Sequence, residues 1–360
     1  MRTILILTAF LAAPAFAQNF DTSNNGALHG DYFVREVLIT GQNNNGSITS
    51  ASSAIGVATF DGNGNYTFSG SGGKNATGVY AVASNGLLYI QSFVDGTQYA
   101  YGGLSSVGPN AFVASATEGT SGDILVAIPA GSSATNSALS GNYTAGYFGF
   151  ANTSVNQVRE ATFNFSADGS GNLSNATVSG VALNLGGNTL SQTISGGTYT
   201  LSGEGSGMLN LGSASTSQVL SGSMNFYVSA DGSLFLAGTP GGIDLVVGTK
   251  AFSGSASNAS WNNVYFIGGI EDGVQGTSHA IDAFYGSWNS NGRGSSIVHQ
   301  RYQALSPPQQ VFDYTFNTSG TVASNGTSSP QDIPYQFTLG NGGQVFMAAG
   351  TQGLYSLTIG

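Results

Sequence analysis

The sequence predicts an all-β protein made of three tandem modules. Short segments rich in Val, Ile, Leu, Phe, Tyr and Thr alternate with glycine-containing turns along most of the 360 residues, which is the pattern of strands joined by hairpins. Pairs such as Asp61-Gly62 and Asp168-Gly169 lie between those segments and readily adopt the positive φ angles that tight hairpins need. Four landmarks also recur in one order, three times.

The landmarks divide the chain into repeats. In the three modules in turn, they are an opening segment (27–32, 138–143, 259–264), a Gly-x-Gly turn (62–64, 169–171, 292–294), an aromatic strand (78–80, 197–199, 312–314) and a Phe-led strand (112–114, 235–237, 346–348). We therefore expect β modules over residues 27–128, 138–249 and 259–360, the third being divergent. Each holds about eight strand-length segments.

Eight short antiparallel strands can close as an up-and-down barrel or fold as a two-sheet sandwich. Open sheets usually protect their edges with lysine or other charges. This chain has only seven Lys and Arg, and charged residues make up 7% of it. Closure removes edges without charge, so we favour a lipocalin-like barrel over a β-sandwich. The sequence leaves open whether the barrel interiors are filled or hollow.

The N-terminus has the pattern of a signal peptide over residues 1–17. Arg2 precedes an uncharged apolar run over residues 4–13, and Ala15-Phe16-Ala17 is a small-x-small cleavage site. The run is too short to span a bilayer, which takes about 20 residues. We therefore expect an exported protein, extracellular or at the cell surface, with the periplasm as an alternative, and not a helical membrane protein.

Composition excludes several functions. The net charge is −10, and seven Lys and Arg cannot form the basic patch that nucleic-acid binding needs. Cysteine is absent, which excludes disulfides, a thiol nucleophile and cysteine-ligated zinc. A surface built mainly from Ser, Thr, Asn, Gln and Gly favours adhesion or self-association.

Calcium is the first ligand to consider. The turns that begin at Asp61 and Asp168 place side-chain oxygens at alternate positions, as calcium loops do. Neither turn has a Glu at the twelfth position, and the third copy places Arg293 where a ligand should be. Hairpin geometry explains all three copies, so we expect turns and no metal site.

Histidine and carboxylate chemistry are also unsupported by the sequence. Strand alternation places His279 and Asp282 on opposite faces of one strand, so they cannot pair within it. We expect His279 and His299 to be solvated. The Glu271-Asp272 pair precedes Gly273, and we expect it in a surface turn. We therefore assign no catalytic residue and no cofactor, and expect a protein that is not an enzyme.

The third module carries the candidate ligand face. It holds both tryptophans and two of the three histidines, and a polar-aromatic face suits recognition of a glycan or peptide. The alternative is that the aromatic residues belong to the core of a module that has drifted. The candidate face consists of Trp261, Asp282, Phe284, Trp288, His299 and Arg301.

The repeat resembles a known group of proteins. Segments 139–143 (LSGNY), 165–172 (FSADGSGN) and 197–199 (GTY) are similar to the repeats of the Gly/Ser/Asn-rich tandem β-repeat proteins secreted by acidobacteria and similar soil bacteria. The likeness is best in the middle module and poor in the third, where Trp261 and Asn262 replace Leu and Gly. The resemblance implies secretion and a β fold, and it implies no activity.

The leading functional hypothesis is a secreted, non-enzymatic binding or structural protein with a glycan or another cell-surface component as its partner. Tandem weak sites add avidity without any single strong motif. The first alternative is an outer-membrane β-barrel protein, which fits the leader, the absence of Cys and the many Tyr and Phe. The second alternative is an exported hydrolase.

Overall fold

The computed structural model describes residues 20–40, 48, 50–105, 110–117, 121–131, 134–275, 278–305, 309–351 and 353–360, and the predicted leader lies outside them. The described chain is all-β, as predicted, with strands arranged in three antiparallel sheets. No helix in the described ranges is both long and apolar enough to cross a bilayer. The 3₁₀ helices are Asn25–Ala27, Ser71–Gly73, Asn136–Ala138, Ala151–Thr153, Val155–Gln157, Leu183–Leu185, Asn258–Ser260 and Asn341–Gly343.

The first module is a closed up-and-down barrel. Its strands are β1 (His29–Thr40), β2 (Ala51–Asp61), β3 (Asn65–Gly70), β4 (Asn75–Val82), β5 (Leu87–Gln91), β6 (Tyr99–Leu104), β7 (Phe112–Ser115) and β8 (Ser121–Pro129). Each strand pairs with the next along the chain, and β1 pairs with β8 to close the circle. The barrel preferred over a sandwich is confirmed here.

The second module is the same barrel opened at its fourth strand. Its strands are β9 (Ser140–Phe150), β10 (Val158–Asp168), β11 (Ala176–Ala182), β12 (Thr189–Ile194), β13 (Thr198–Leu201), β14 (Ser206–Asn210), β15 (Ser223–Val228), β16 (Leu234–Gly238) and β17 (Ile243–Lys250). The first and last strands again pair, but β12 and β13 do not. The sequence Ser-Gly-Gly at 195–197 lies between these two strands, and glycine there weakens the extended conformation.

The third module is opened at the corresponding place. Its strands are β18 (Val264–Gln275), β19 (Ser278–Ser290), β20 (Ser295–Ala304), β21 (Gln310–Ser319), β22 (Thr327–Ser328), β23 (Tyr335–Gly340), β24 (Val345–Gly350) and β25 (Leu354–Ile359). Strands β18 and β25 pair, whereas β21 and β22 form the two edges of the sheet. Complete closure, which we expected for every module, is therefore found in the first, whereas the described strands of the second and third modules form open sheets.

An asparagine in the opening 3₁₀ helix is used identically in the three modules. The Oδ1 atoms of Asn25, Asn136 and Asn258 accept backbone N–H groups at 2.8, 2.6 and 2.7 Å. The donors are Val82, Leu201 and Val322. Each bond joins the start of a module to the end of its fourth-strand region. The three modules therefore share a hydrogen bond as well as a sequence pattern.

A second set of repeated hydrogen bonds corrects one predicted landmark. The N–H groups of Tyr80 and Tyr199 donate to the second glycine of the Gly-x-Gly turn at 2.9 and 2.8 Å, and in the third module Gly320 does so at 2.9 Å. The third counterpart of Tyr80 is therefore Gly320, and the predicted segment 312–314 lies in β21 instead. Trp261 follows its 3₁₀ helix at the place where Leu28 follows the first one, so a Trp–Gly pair replaces a Leu–Tyr pair.

The module interiors are filled by aromatic and aliphatic side chains. In the first barrel, Phe60 makes edge-to-face contacts with Tyr32 and Tyr80, with ring centroids 5.2 and 5.1 Å apart. The stacked rings of Trp261 and Trp288, 5.5 Å apart, occupy the interior of the third module. The structure therefore answers the question that the sequence left open in favour of filled interiors.

A further apolar core lies between the modules. It combines outward-facing side chains from all three sheets, among them Phe33, Phe148 and Leu357. Strand β1 shows the consequence: its eight residues from Tyr32 to Ile39 are all buried, because one face lines the barrel and the other meets the neighbouring modules. The three modules therefore pack as one body.

Two buried charged residues bond across the seams between modules. Arg35 of the first module donates to the carbonyl and carboxylate of Asp244 in the second. Glu160 of the second module accepts the N–H groups of Gly350 and Ser356 in the third, both at 2.7 Å. Burial raises the pKa of Glu160 well above its usual value, and the two N–H donors oppose that shift.

Candidate functional site

The six residues of the predicted ligand face lie on opposite sides of the third sheet. Trp261, Phe284 and Trp288 are at most 5% exposed and belong to the interior cluster of the module. Asp282 shares the inner face of β19 with Phe284, as alternation along a strand requires. His299 and Arg301 lie on the outer face of β20, where Arg301 pairs with Asp313 of β21 at 3.0 Å. The sheet therefore separates the aromatic residues from the basic ones.

The acidic pair expected in a surface turn is instead buried in a strand. Glu271 and Asp272 lie within β18, which continues through Gly273, and they are 8% and 0% exposed. The expectation of a turn was wrong because Gly273 does not end β18. The strand pairs with β19 on one side and with β25 on the other, and both pairings include Gly273. Register places Glu271 directly opposite Asp282, so two carboxyl groups meet inside the half-barrel.

Two tyrosines hydrogen-bond to the inner carboxyl group of Glu271. Tyr302 of β20 and Tyr335 of β23 each donate a hydroxyl hydrogen bond to Glu271, the first at 3.3 Å. Burial raises the pKa of Glu271, and the tyrosine hydrogen bonds oppose the rise. Burial also raises the pKa of Asp282 to about 7, against a hydrogen bond from Tyr302. The group holds Tyr302 and Tyr335 in fixed orientations.

Tyr302 links this buried group to an exposed aromatic edge. Its ring centroid lies 6.5 Å from that of Phe284 and 6.0 Å from that of Tyr314, and Tyr314 lies 6.0 Å from Phe312. Phe312 and Tyr314 are 37% and 50% exposed. Both stand on β21, which has a partner strand on one side only. We call Tyr302, Phe312 and Tyr314 the aromatic rim.

The sequence contains a signal for the aromatic rim that we interpreted differently. Residues Phe312, Tyr314 and Phe316 alternate with Asp313 and with other polar residues, which predicts one aromatic face. We used residues 312–314 only as a landmark of the repeat and did not interpret their aromatic side chains as an exposed face. Exposure arises because the fourth strand of this module has no partner on its far side.

A second acidic residue pairs with histidine on the outer face of the same sheet. His279 Nδ1 lies 2.8 Å from the carboxylate of Asp272, and both side chains are buried between modules. Burial raises the pKa of Asp272, and the hydrogen bond with His279 lowers it. The predicted solvated position of His279 is therefore wrong, whereas His299 is exposed as predicted. His279 pairs with a neighbouring strand and not with Asp282.

The first barrel also encloses two carboxyl groups, which the sequence gave no reason to expect inside. Glu36 of β1 accepts the N–H of Phe93 at 2.8 Å and the hydroxyl hydrogen bond of Ser92. It also shares a hydrogen bond with Asp123 of β8. Burial raises the pKa of both acids, so this pair retains a proton more readily than exposed acids do.

The two candidate calcium turns have the hairpin geometry that we expected. Asp61 Oδ1 accepts the N–H groups of Asn63 and Asn65 at 2.7 and 3.0 Å, and Asp168 makes the equivalent bonds. Hydrogen bonds from the asparagine side chain and from the backbone lower the pKa of Asp61 and of Asp168 to about 2. The carboxylates are therefore engaged by their own turns.

No described group of three or more His, Asp or Glu side chains is placed to hold a metal ion. No family model, curated protein or solved structure matches the chain. Among the arrangements described above, the aromatic rim combines exposed apolar rings with a fixed polar support. We therefore take it as the candidate binding site.

Proposed function

We propose that the protein is an exported, non-enzymatic binding protein that takes a neutral glycan on the aromatic rim of its third module. The exposed rings of Phe312 and Tyr314, supported through Tyr302 by the buried carboxyl pair, are the observation that carries this proposal. Export is supported by the signal-peptide pattern of residues 1–17. The resemblance to secreted tandem β-repeat proteins agrees with that location.

The chemistry of the rim suits sugars. Aromatic rings offer a large, rigid contact area at low cost in conformational entropy, and the C–H faces of a pyranose ring are apolar enough to pack on them. The Tyr314 hydroxyl and the side chain of Gln300, its neighbour across the strands, supply hydrogen-bonding groups beside the rings. Asp313 is paired with Arg301 on the other face, so the rim itself carries no net charge, which favours a neutral ligand.

Binding without hydrolysis is the better interpretation of the carboxyl pair. A glycosidase needs two carboxyl groups that flank the scissile bond, about 5 to 9.5 Å apart. Glu271 and Asp282 are 8% and 7% exposed, and both oxygens of Glu271 already accept tyrosine hydroxyls. We therefore give them the role of holding Tyr302 of the rim in place, and not of contacting the sugar.

The test measures retardation of the purified protein in native gels that contain one neutral polysaccharide each, such as cellulose derivatives, xylan or β-glucan. We expect Tyr314→Ala to lose at least tenfold in affinity, since such aromatic residues carry a large share of binding energy. Leu87→Ala is the matched control, because Leu87 of the first module is 49% exposed against 50% for Tyr314.

The outcomes separate the hypotheses. Retardation that Tyr314→Ala abolishes and Leu87→Ala preserves supports the rim. Absence of retardation across the whole panel, or equal loss in both variants, rejects it. If the protein releases reducing ends from a polysaccharide that it retains, and Glu271→Gln abolishes that release, the exported-hydrolase hypothesis replaces the binding-protein hypothesis.

A further inference from the structure

A cleft of about 210 Å³ lies where the three modules meet, away from the aromatic rim. Its walls come from all three sheets: Leu104 and Val126 from the first module, Leu234 and Val247 from the second, and Val345 and Ile359 from the third. No single module encloses the cleft. The site therefore exists only in the assembled chain.

Among the described residues that line the cleft, none has a charged side chain. Its polar side chains are those of Ser105, Asn263, Tyr265, Asn341 and Gln344. The last two hydrogen-bond to each other at 2.8 Å, and the Tyr265 hydroxyl donates to the carbonyl of Gly343. An anion that entered would lose its hydration without gaining a cationic partner from these side chains, which is costly. The walls therefore favour an uncharged and largely apolar occupant.

Contacts between each pair of modules prevent the walls from collapsing inward. Arg35 bonds the first module to Asp244 of the second, and Glu160 bonds the second to the third. Between the first and third modules, the Phe266 ring packs on Gly103 so closely that a Cβ there would stand 1.8 Å from the ring. These contacts hold the walls of the cleft apart, so the cleft cannot collapse as freely as a cavity whose surrounding side chains can relax into it.

The volume restricts what can enter. An apolar cavity of roughly 150 Å³ is large enough to bind benzene, whereas pockets for drug-sized ligands hold about 300 to 1,000 Å³. A cleft of about 210 Å³ accommodates one small ring or a short alkyl chain, and it is too small for a peptide segment. Val264 at the edge of the cleft is 65% exposed, which places the entrance at the surface.

We propose that this three-module cleft is a binding site for a small, uncharged, apolar molecule such as a short-chain alcohol or a monocyclic aromatic compound. The site is separate from the proposed glycan rim and uses none of its residues. Binding here would stabilise the arrangement of the modules, because the ligand contacts all three. Affinity for so few atoms is expected on the order of 1 mM or tighter.

The test uses the full chain with labelled Ile, Leu and Val methyl groups and follows their NMR shifts. The probe is 1-hexanol, and hexanoate, of the same chain length, is the charged comparison. We expect saturable shifts with 1-hexanol at Leu104, Val126, Val247 and Ile359, and shifts at least tenfold weaker with hexanoate. Equal shifts with the two probes, or shifts confined to other methyl groups, would overturn the proposal.

Two variants locate the binding. Ala111→Phe fills the cleft, since Ala111 is a small lining residue, and we expect at least a tenfold loss of affinity for 1-hexanol. Val264→Trp at the exposed entrance is expected to obstruct it without disturbing the core, and it decides the question where Ala111→Phe fails to fold. Val79→Phe, at a position 42% exposed in β4, is the control and keeps the affinity of the parent. Unchanged affinity in Val264→Trp, or no saturable shift in the parent protein, rejects the site.

Discussion

The substitution Arg35→Met removes a guanidinium that ties the first module to the second. Arg35 is completely buried, and its Nε donates to the carbonyl of Asp244 at 2.7 Å. Its Nη2 donates to the carbonyl of Gly242 and to the carboxylate of Asp244, both at 2.8 Å. Methionine retains an unbranched apolar stem of similar length, so the change deletes the hydrogen bonds and the charge with little loss of packing.

The expected loss in the free energy of unfolding depends on the surroundings of the Asp244 carboxylate, which the substitution leaves without its partner. Removing one partner of a buried ion pair typically costs about 3 to 5 kcal/mol. The side chain of Asp244 is 13% exposed, and its carboxylate keeps the N–H of Thr239 at 2.8 Å, so we expect the lower end, about 3 kcal/mol. That is a factor of roughly 150 in the ratio of folded to unfolded protein.

Urea unfolding followed by tryptophan fluorescence measures this loss, because both tryptophans are buried inside the third module. The matched control is Arg301→Met: Arg301 pairs with Asp313 at 3.0 Å, but the two side chains are 33% and 75% exposed. Exposed pairs contribute about 0 to 1 kcal/mol. A loss below 1 kcal/mol for Arg35→Met, or one equal to the control, would refute the reasoning. Asp244→Asn in the Arg35→Met background should cost less than it does alone.

Two further predictions concern protonation and the repeated asparagine. Burial raises the pKa of Asp282 to about 7, so the folded chain retains a proton there that the unfolded chain releases near pH 4, and the stability this gives in acid is lost as the pH rises towards 7. The pKa of Asp61, lowered to about 2, acts oppositely, and its contribution is lost as the pH falls below about 4. The thermal midpoint should therefore peak near pH 4 to 5. Asp282→Asn should flatten the fall of the midpoint between about pH 5 and 7, and an unchanged slope contradicts the assignment. Asn25→Ala leaves the buried N–H of Val82 without its acceptor, and we expect the free energy of unfolding in urea to fall by about 1 to 3 kcal/mol. The control is Asn63→Ala in an exposed turn, which should lose less than about 0.5 kcal/mol. Equal losses in the two variants would show that the bond is dispensable.

The strands and their order were predictable because hairpin chemistry is local. A pair such as Asp61-Gly62 specifies a tight turn from its own preferences, and alternation then places neighbouring side chains on one face or the other. Alternation along one strand groups Asp282 with Phe284 and Trp288, and along the next strand it groups His299 with Arg301. We combined the two groups in one candidate face, whereas the register places them on opposite faces of the sheet. Alternation does not state which face is inner, so the grouping alone could not show that the tryptophans belong to the core.

Burial of the acidic residues was not predictable from composition. Carboxylates are usually exposed, yet Glu36 and Glu271 lie on the inner faces of their sheets. Glu160 is buried because the outer face of its sheet meets the third module. The segment from Phe33 to Ile39 did carry a partial signal, since five of its seven residues are apolar. An apolar run of that length without clean alternation indicates a strand buried on both faces.

The repeat is a unit of sheet construction, but the seams show that it is not a unit of stability. A Cβ at Gly238 in the second module would stand 2.6 Å from Nε of Arg35 in the first, and one at Gly103 would meet Phe266 of the third. Glycine at these positions therefore admits a neighbour's side chain and has a role beyond turns. An excised module would expose its part of the shared apolar core and break these contacts at once. Because a domain is stable by only about 5 to 15 kcal/mol, we expect cooperative unfolding of the whole chain and not of one barrel at a time.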